Sequence, residues 1–345
     1  SDLYSSGLPY SPRAQGSGLI DVYKAITTPA YITVDGCDRP KLEIGDDKDR
    51  TGVFTFSFNV VNFGSSSLSF TVTPYVESEN ASSTTLNGST VYRMNCTPMN
   101  IKSNCTIDCP TSVSVRAGGT TTVTVTITLN DSIKNTLSTY YPHGAYVEGH
   151  IVLDGNVDLT VPFLGFFGNW NEASVFDRYT YIDQIKGVNN FRYMSKQIVV
   201  GAKNGSSALL FGANPYISTT DWLADRATLS PNGDGYYEQI DNVVLALIRN
   251  SANCGIKIYN EDDPDVVYYD EDVAHMPKTW GYSSAAYGDS YYYYATQWMD
   301  FTSWAPDGLA EGTHVVFKMY AYLDNPDFTP EQNECCEIVL PMTVD

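Results

Sequence analysis

The chain is short of positive charge. Its 345 residues hold 20 Lys and Arg against 40 Asp and Glu, and a formal net charge of −20 would repel a phosphate backbone, so nucleic acid is an unsuitable partner. No apolar run approaches the roughly 18 residues a membrane span requires, which argues against membrane insertion. The N-terminus lacks the charged, apolar and small-residue pattern of a secretory leader, and the sequence reads as an internal piece of a longer chain. Histidine is scarce: His143, His150, His275 and His314 are the full set. There is no HExxH, no glycine-rich phosphate loop and no nucleotide fingerprint. Charged residues make up only 17% and hydrophobic ones 43%, which excludes a disordered chain.

Tyrosine, threonine, serine and valine are plentiful, and they favour strands. Phe54, Phe56, Phe58 and Val60 alternate with polar residues; so do Leu68, Phe70 and Val72 beyond the turn at Asn62-Phe63-Gly64-Ser65. The clearest case sets Val123, Val125, Ile127 and Leu129 against Thr122, Thr124, Thr126 and Thr128, putting every apolar side chain on one face. Residues 145–153, an Asp154-Gly155 turn and residues 157–161 read as a hairpin. Such short strands joined by Gly, Ser and Asn turns predict a β-sandwich, and the length predicts two or three domains. A second set of strands is expected at 243–248, 256–259, 266–269, 291–295, 315–323 and 338–344. Gly18 followed by Leu19, Ile20, Val22, Tyr23 and Ala25 predicts a short helix with an apolar face. The charge is uneven: residues 1–165 hold 15 acids and 10 bases, and residues 166–345 hold 25 and 10, giving nets of −5 and −15.

Several strings, in order, resemble the subtilisin-like cell-envelope serine proteases of Gram-positive bacteria. Arg13-Ala14-Gln15-Gly16-Ser17-Gly18-Leu19-Ile20-Asp21-Val22 is similar to the last turn and closing helix of their catalytic domain. Residues 142–151 with 161–170 resemble the final hairpin and exit strand of their first fibronectin-like domain, although Asn169 stands where an acid is usual. Ser230-Pro231-Asn232-Gly233-Asp234-Gly235, with residues 247–250, resembles the start of the second such domain. Residues 304–321 and 340–345 resemble its closing hairpin and last strand. The resemblance implies an all-β chain of two fibronectin/immunoglobulin-like β-sandwich domains. Its parts would be a catalytic-domain remnant (1–26), a first sandwich (27–170), a packed connector (171–229) and a second sandwich (230–345). The remnant helix would normally pack on an upstream subtilase catalytic domain; without it, these residues are expected to dock elsewhere or fray.

A subtilase needs a His base, an orienting Asp and a nucleophilic Ser. His143-Gly144 lacks the residues that follow the family's catalytic histidine, and no Gly-Thr-Ser-Met string occurs, so no catalysis is expected from this segment alone. His150 and His314 fall on expected strands and read as surface or edge residues. The candidate metal site is Asn232, Asp234, Glu238 and Asp241, hard oxygen ligands around a glycine-rich turn that suit weakly bound calcium. The same turn reads equally well as one closing on its own backbone. Glu261-Asp262-Asp263-Pro264-Asp265 with Asp270, Glu271 and Asp272 is better read as a solvated hairpin tip than as a cation site. Seven cysteines leave at least one unpaired, and two of Cys96, Cys105 and Cys109 would pair if the compartment is oxidising. Tyr291 to Tyr294, with Trp298 and Trp304, read mainly as core. The function expected is a non-catalytic region that positions protein substrate and spaces the catalytic domain from an extracellular cell surface or wall. An independent adhesin or glycan-binding module is the alternative.

Overall fold

The computed structural model describes residues 7–86, 89–176, 199–204, 207–210, 213–214, 218–222, 227–245, 247, 249–277, 297–298, 301, 303–324 and 329–345. The chain divides into two compact units, Ser1–Ala173 and Ser174–Asp345.

In the first unit, two short helices, α1 (Pro12–Gln15) and α2 (Val22–Thr27), precede the strands β1 (Ala30–Thr33), β2 (Leu42–Asp47), β3 (Val53–Asn62), β4 (Leu68–Leu86), β5 (Ser89–Asn100), β6 (Cys105–Asp108), β7 (Ser112–Val115) and β8 (Thr120–Leu129). Helix α3 (Asp131–Tyr140) leads into β9 (Ala145–Gly155) and β10 (Leu159–Phe167). One sheet runs β1-β3-β8-β6; the other runs β2-β10-β9-β4-β5, with β7 also on β4. The alternation expected of β8 is met: Val123, Val125, Ile127 and Leu129 are buried, and the outward Thr124 and Thr126 hydroxyls meet Ser57 and Thr55 at 2.8 and 3.0 Å across β3. Phe54, Phe58, Phe70, Val147, Ile151 and Phe163 join them in one core, each buried aromatic or aliphatic side chain contributing about 1.5–3 kcal/mol. The Asn62 to Ser65 turn carries the chain from one sheet to the other. Asn62, itself buried, donates through Nδ2 to the carbonyls of Ser66, Val115 and Arg116 and so fixes that crossing.

Three details depart from expectation. The hairpin of β9 and β10 forms, with Leu153 opposite Leu159, but Asp154 and Gly155 extend β9 against β4 instead of forming a two-residue turn. A Cβ at Gly155 would lie 2.2 Å from the Ser69 carbonyl oxygen, so glycine serves a close strand approach here and not a turn angle. Helix α3 was not expected from the sequence. Its N-cap is Asn130, whose Oδ1 accepts from Ile133 N at 3.0 Å, and Ile133 and Leu137, four apart, are its buried face. Finally, Cys105 and Cys109 are free thiols, and burial pushes the Cys105 thiol up to about 11. The Cys96 side chain lies outside the described residues.

The second unit contains β11 (Val199–Asn204), β12 (Ser207–Leu210), β13 (Ala213–Asn214), β14 (Ser218–Trp222), β15 (Ala227–Leu229), β16 (Tyr236–Leu245), β17 (Asn253–Asn260), β18 (Val267–Ala274), β19 (Gln297–Trp298), β20 (His314–Tyr322) and β21 (Glu334–Val344). Sheet β15-β21-β20-β17-β18 packs Cys254, Ile256, Ile258, Phe317, Met319 and Met342 inward. Sheet β12-β11-β16-β19 joins residues read as connector to the strand that follows the glycine-rich turn. The run Tyr291 to Tyr294 lies outside the described residues. Both units are all-β in their sheets, as the sequence led us to expect.

Candidate functional site

The outer face of a sandwich sheet is ordinarily wet, and in the first unit part of it is not. Along β9, Ala145, Val147, Ile151 and Leu153 enter the core, so Tyr146, Glu148 and His150 lie on the opposite face. Register sets Glu77 of β4 opposite Glu148, and Tyr75 opposite His150. Gly149 lies between those two β9 residues at φ +154, where a Cβ would sit 2.0 Å from the Tyr75 carbonyl oxygen. Only glycine lets β9 run this close to β4 and hold Glu148 and His150 in place.

Residues 8–16 cover that face. Leu8 is buried, and α1 opens on Pro12 behind the N-cap Ser11, whose side chain accepts from Arg13 N. Arg13 then reaches into the sheet. Its Nε donates to Glu148 Oε2 at 2.9 Å, and its Nη2 donates to Glu148 Oε1 at 2.9 Å and Glu79 Oε2 at 2.7 Å. Its Cζ stands 3.9 Å from the centroid of the Tyr146 ring, which in turn meets Phe166 and Trp170. The guanidinium is thus gripped by a two-point fork, a second carboxylate and an aromatic face. Arg13 keeps 30% of its side chain exposed, whereas Glu79 and Glu148 keep 8% and 1%. Burial works against the Arg13 charge, but hydrogen bonds and charge from Glu148 and then Glu79 outweigh it and raise its pKa.

Two further buried groups complete the site. His150 is fully buried, which corrects the expectation of a surface or edge residue; the strand was rightly placed, but its outer face is covered. Its Nε2 meets the Gly16 carbonyl at 3.1 Å, while Nδ1 has no hydrogen-bond partner. Nε2 donates to that carbonyl, and burial lowers the ring's pKa, which favours the neutral form with Nδ1 unprotonated. Glu77 is fully buried and neither carboxyl oxygen has a partner. Burial, and then the Glu148 charge, push its pKa up to about 8.

Helix α2, capped by Asp21 through Lys24 N at 3.0 Å, forms where the sequence puts a helix. The helix begins only at Val22, so Leu19 and Ile20 precede it; these two are each 87% exposed, and Val22, Tyr23 and Ile26 on the helix are also exposed. Five large apolar side chains within eight residues are more than scattered surface hydrophobics.

The candidate calcium ligands have other engagements. Asn232 Oδ1 accepts from Asp234 N at 2.9 Å, Asp234 Oδ1 from Tyr236 N at 2.8 Å, and Glu238 Oε1 from Gly235 N at 3.0 Å; Asp241 accepts from Gln239. The turn closes on its own backbone, and among the described residues no three His, Cys, Asp or Glu come together to hold a metal ion. In the acidic run, Asn260 Oδ1 accepts from Asp262 N and Asp263 N, making a hairpin tip, while Asp270, Glu271 and Asp272 lie within β18 and not after it.

Residues 43–164 match the family model of the Fn3-like domain, spanning β2 to β10, so the first unit carries an Fn3-like sandwich. The chain is similar to the PI-type proteinase of Lactococcus lactis subsp. cremoris, 24% identical over 311 residues, which is 84% of this chain and 15% of that protein. The PII-type proteinase of the same organism is 23% identical over 86% of this chain and 15% of its own length. A PII-type proteinase of Lacticaseibacillus paracasei is 25% identical over 51% of this chain and 9% of its own length. The chain therefore spans a small part of the proteinases it resembles. No helix among the described residues is long and apolar enough to cross a membrane.

Proposed function

We propose that this chain is a non-catalytic Fn3-like accessory region of a secreted, subtilisin-like serine endopeptidase at a bacterial cell surface. In this reading it positions protein substrate and holds the catalytic domain away from the wall. The observation that carries it is the similarity to the PI-type proteinase over 84% of the chain, together with the Fn3-like match inside that span. The N-terminal segment supports it physically. Residues 8–16 are fastened to the sandwich through Arg13, and the uncovered run Leu19 to Ile26 follows directly, as suits a segment shared between the sandwich and an upstream catalytic domain. A fastened segment fixes the angle between two bodies, and that angle would decide which loops of a protein substrate reach the catalytic groove. The test is incubation of the isolated chain with an intact protein and with a fluorophosphonate that labels active serines. No cleavage and no adduct are expected; either one overturns the proposal.

A further inference from the structure

The groups that hold Arg13 all belong to the sandwich. Tyr146 and Glu148 are two residues apart on one face of β9, and Glu79 projects from β4, where the Tyr141 hydroxyl donates to its carbonyl at 3.0 Å. They are placed by sheet pairing and by Gly149, independently of the segment they grip. Helix α1 itself is four residues long and buries none of them; the segment's other contacts are the buried Leu8 and the Gly16 carbonyl that meets His150. What fills the slot is chemically a ligand, a planar cation held by a bidentate carboxylate, a second carboxylate and a ring face. The neighbouring Glu77, fully buried with both oxygens unpartnered, shows that this face is built to be covered and not wetted. A lysine ammonium would reproduce the charge but not the fork or the stacking.

We infer that Tyr146, Glu79 and Glu148 form a guanidinium-binding pocket that the chain fills with its own Arg13, and that this pocket accepts the arginyl side chain of another peptide once the strap is off. The strap is a tethered ligand. A short tether supplies an effective concentration of roughly millimolar order, so a free competitor below that level is excluded from the intact chain. The inference stands whether or not the chain belongs to a proteinase.

The experiment uses the whole chain carrying Arg13→Ala and measures binding of N-acetylarginine amide by titration calorimetry, with N-acetyllysine amide as the control. Saturable binding of the arginine compound is expected, at least tenfold tighter than that of the lysine compound and at least tenfold tighter than to the unaltered chain. Adding Glu148→Gln to Arg13→Ala is expected to abolish it. Equal binding of both compounds, equal binding to the unaltered chain, or no binding at all overturns the inference. Should the Arg13→Ala chain not fold by itself, the readout becomes recovery of its β-sheet circular dichroism on adding N-acetylarginine amide, since a ligand specific to the native state draws the equilibrium toward it. Failure to recover overturns the inference equally.

Discussion

Glu77 and Glu148 face each other across β4 and β9, both out of contact with water, yet only Glu148 meets a guanidinium. Glu148 has its charge matched at two points. Glu77 has no hydrogen-bonding partner and lies beside that same charge, which is why its proton is held up to about pH 8. Two identical side chains in directly paired positions thus differ because one segment, residues 8–16, brings one arginine.

The pH dependence follows from the Glu77 proton. Between its ordinary value of 4.5 and about 8, the native chain holds a proton that the unfolded chain releases. Stability from this group is therefore fullest below 4.5, declines as pH rises, and levels off above about 8. His150 has the opposite sign: its lowered pKa contributes stability above 6.5 that is lost as pH falls. The two separate on the alkaline side. Urea midpoints are expected to fall between about pH 7 and about pH 8.5 in the unaltered chain and to change much less in Glu77→Gln. Equal slopes in both would remove Glu77 as the cause.

Arg13→Ala leaves Glu148 and Glu79 buried without their counter-charge, and it is expected to destabilise the first unit by about 3 kcal/mol. Arg13→Lys keeps a charge but loses the fork and the ring contact, and its loss should fall between the two. Thermal unfolding followed by circular dichroism measures both. A change under about 0.5 kcal/mol for Arg13→Ala, the size of an ordinary surface substitution, would contradict the fastened segment.

Gly149→Ala is expected to cost about 3 kcal/mol or more, because a methyl group 2.0 Å from the Tyr75 carbonyl forces β9 away from β4. The separation would also loosen Arg13, since Glu148 is the adjacent residue. Unfolding midpoints of Gly149→Ala, Arg13→Ala and the double variant should therefore be non-additive. Additivity would mean that the glycine and the arginine act independently.

Much of this architecture was legible in the sequence, because strand alternation is a local signal. Val123 to Leu129 announced both the strand and its buried face. What lay beyond reach was what covers the far face of a strand. His150 alternates with core residues and so reads as a surface or edge position; its burial, and that of Glu148 beside it, involves residues 8–16, more than a hundred positions away. Arg13 was noticed only as part of a family-like string, with nothing local to mark it as an ion-pair partner. Helix α3 had a readable signal in Asn130, a capping residue, followed by the apolar pair Ile133 and Leu137 four apart, but one such pair inside a threonine-rich stretch is a weak helical pattern. The turn at 232–238 was ambiguous by nature, since the oxygens that suit calcium also suit the backbone N–H groups two or three residues on.

For that turn, we propose that Asn232, Asp234, Glu238 and Asp241 bind calcium weakly, through carboxylate and amide lone pairs not used by the turn's own N–H groups. The melting temperature should then be higher in millimolar calcium than in chelator, and Asp234→Asn should remove the difference. An unchanged melting temperature would leave the turn as one that closes only on its own backbone.

The most direct test of the accessory role compares a proteinase carrying this region with the same proteinase after residues 30–345 are removed. Each is given one intact protein substrate and one short peptide substrate. The account predicts that the set of bonds cut in the protein changes while peptide turnover stays within about twofold, because positioning acts on large substrates and leaves the chemical step alone. An unchanged map of cut bonds, with both substrates turned over as before, would contradict it.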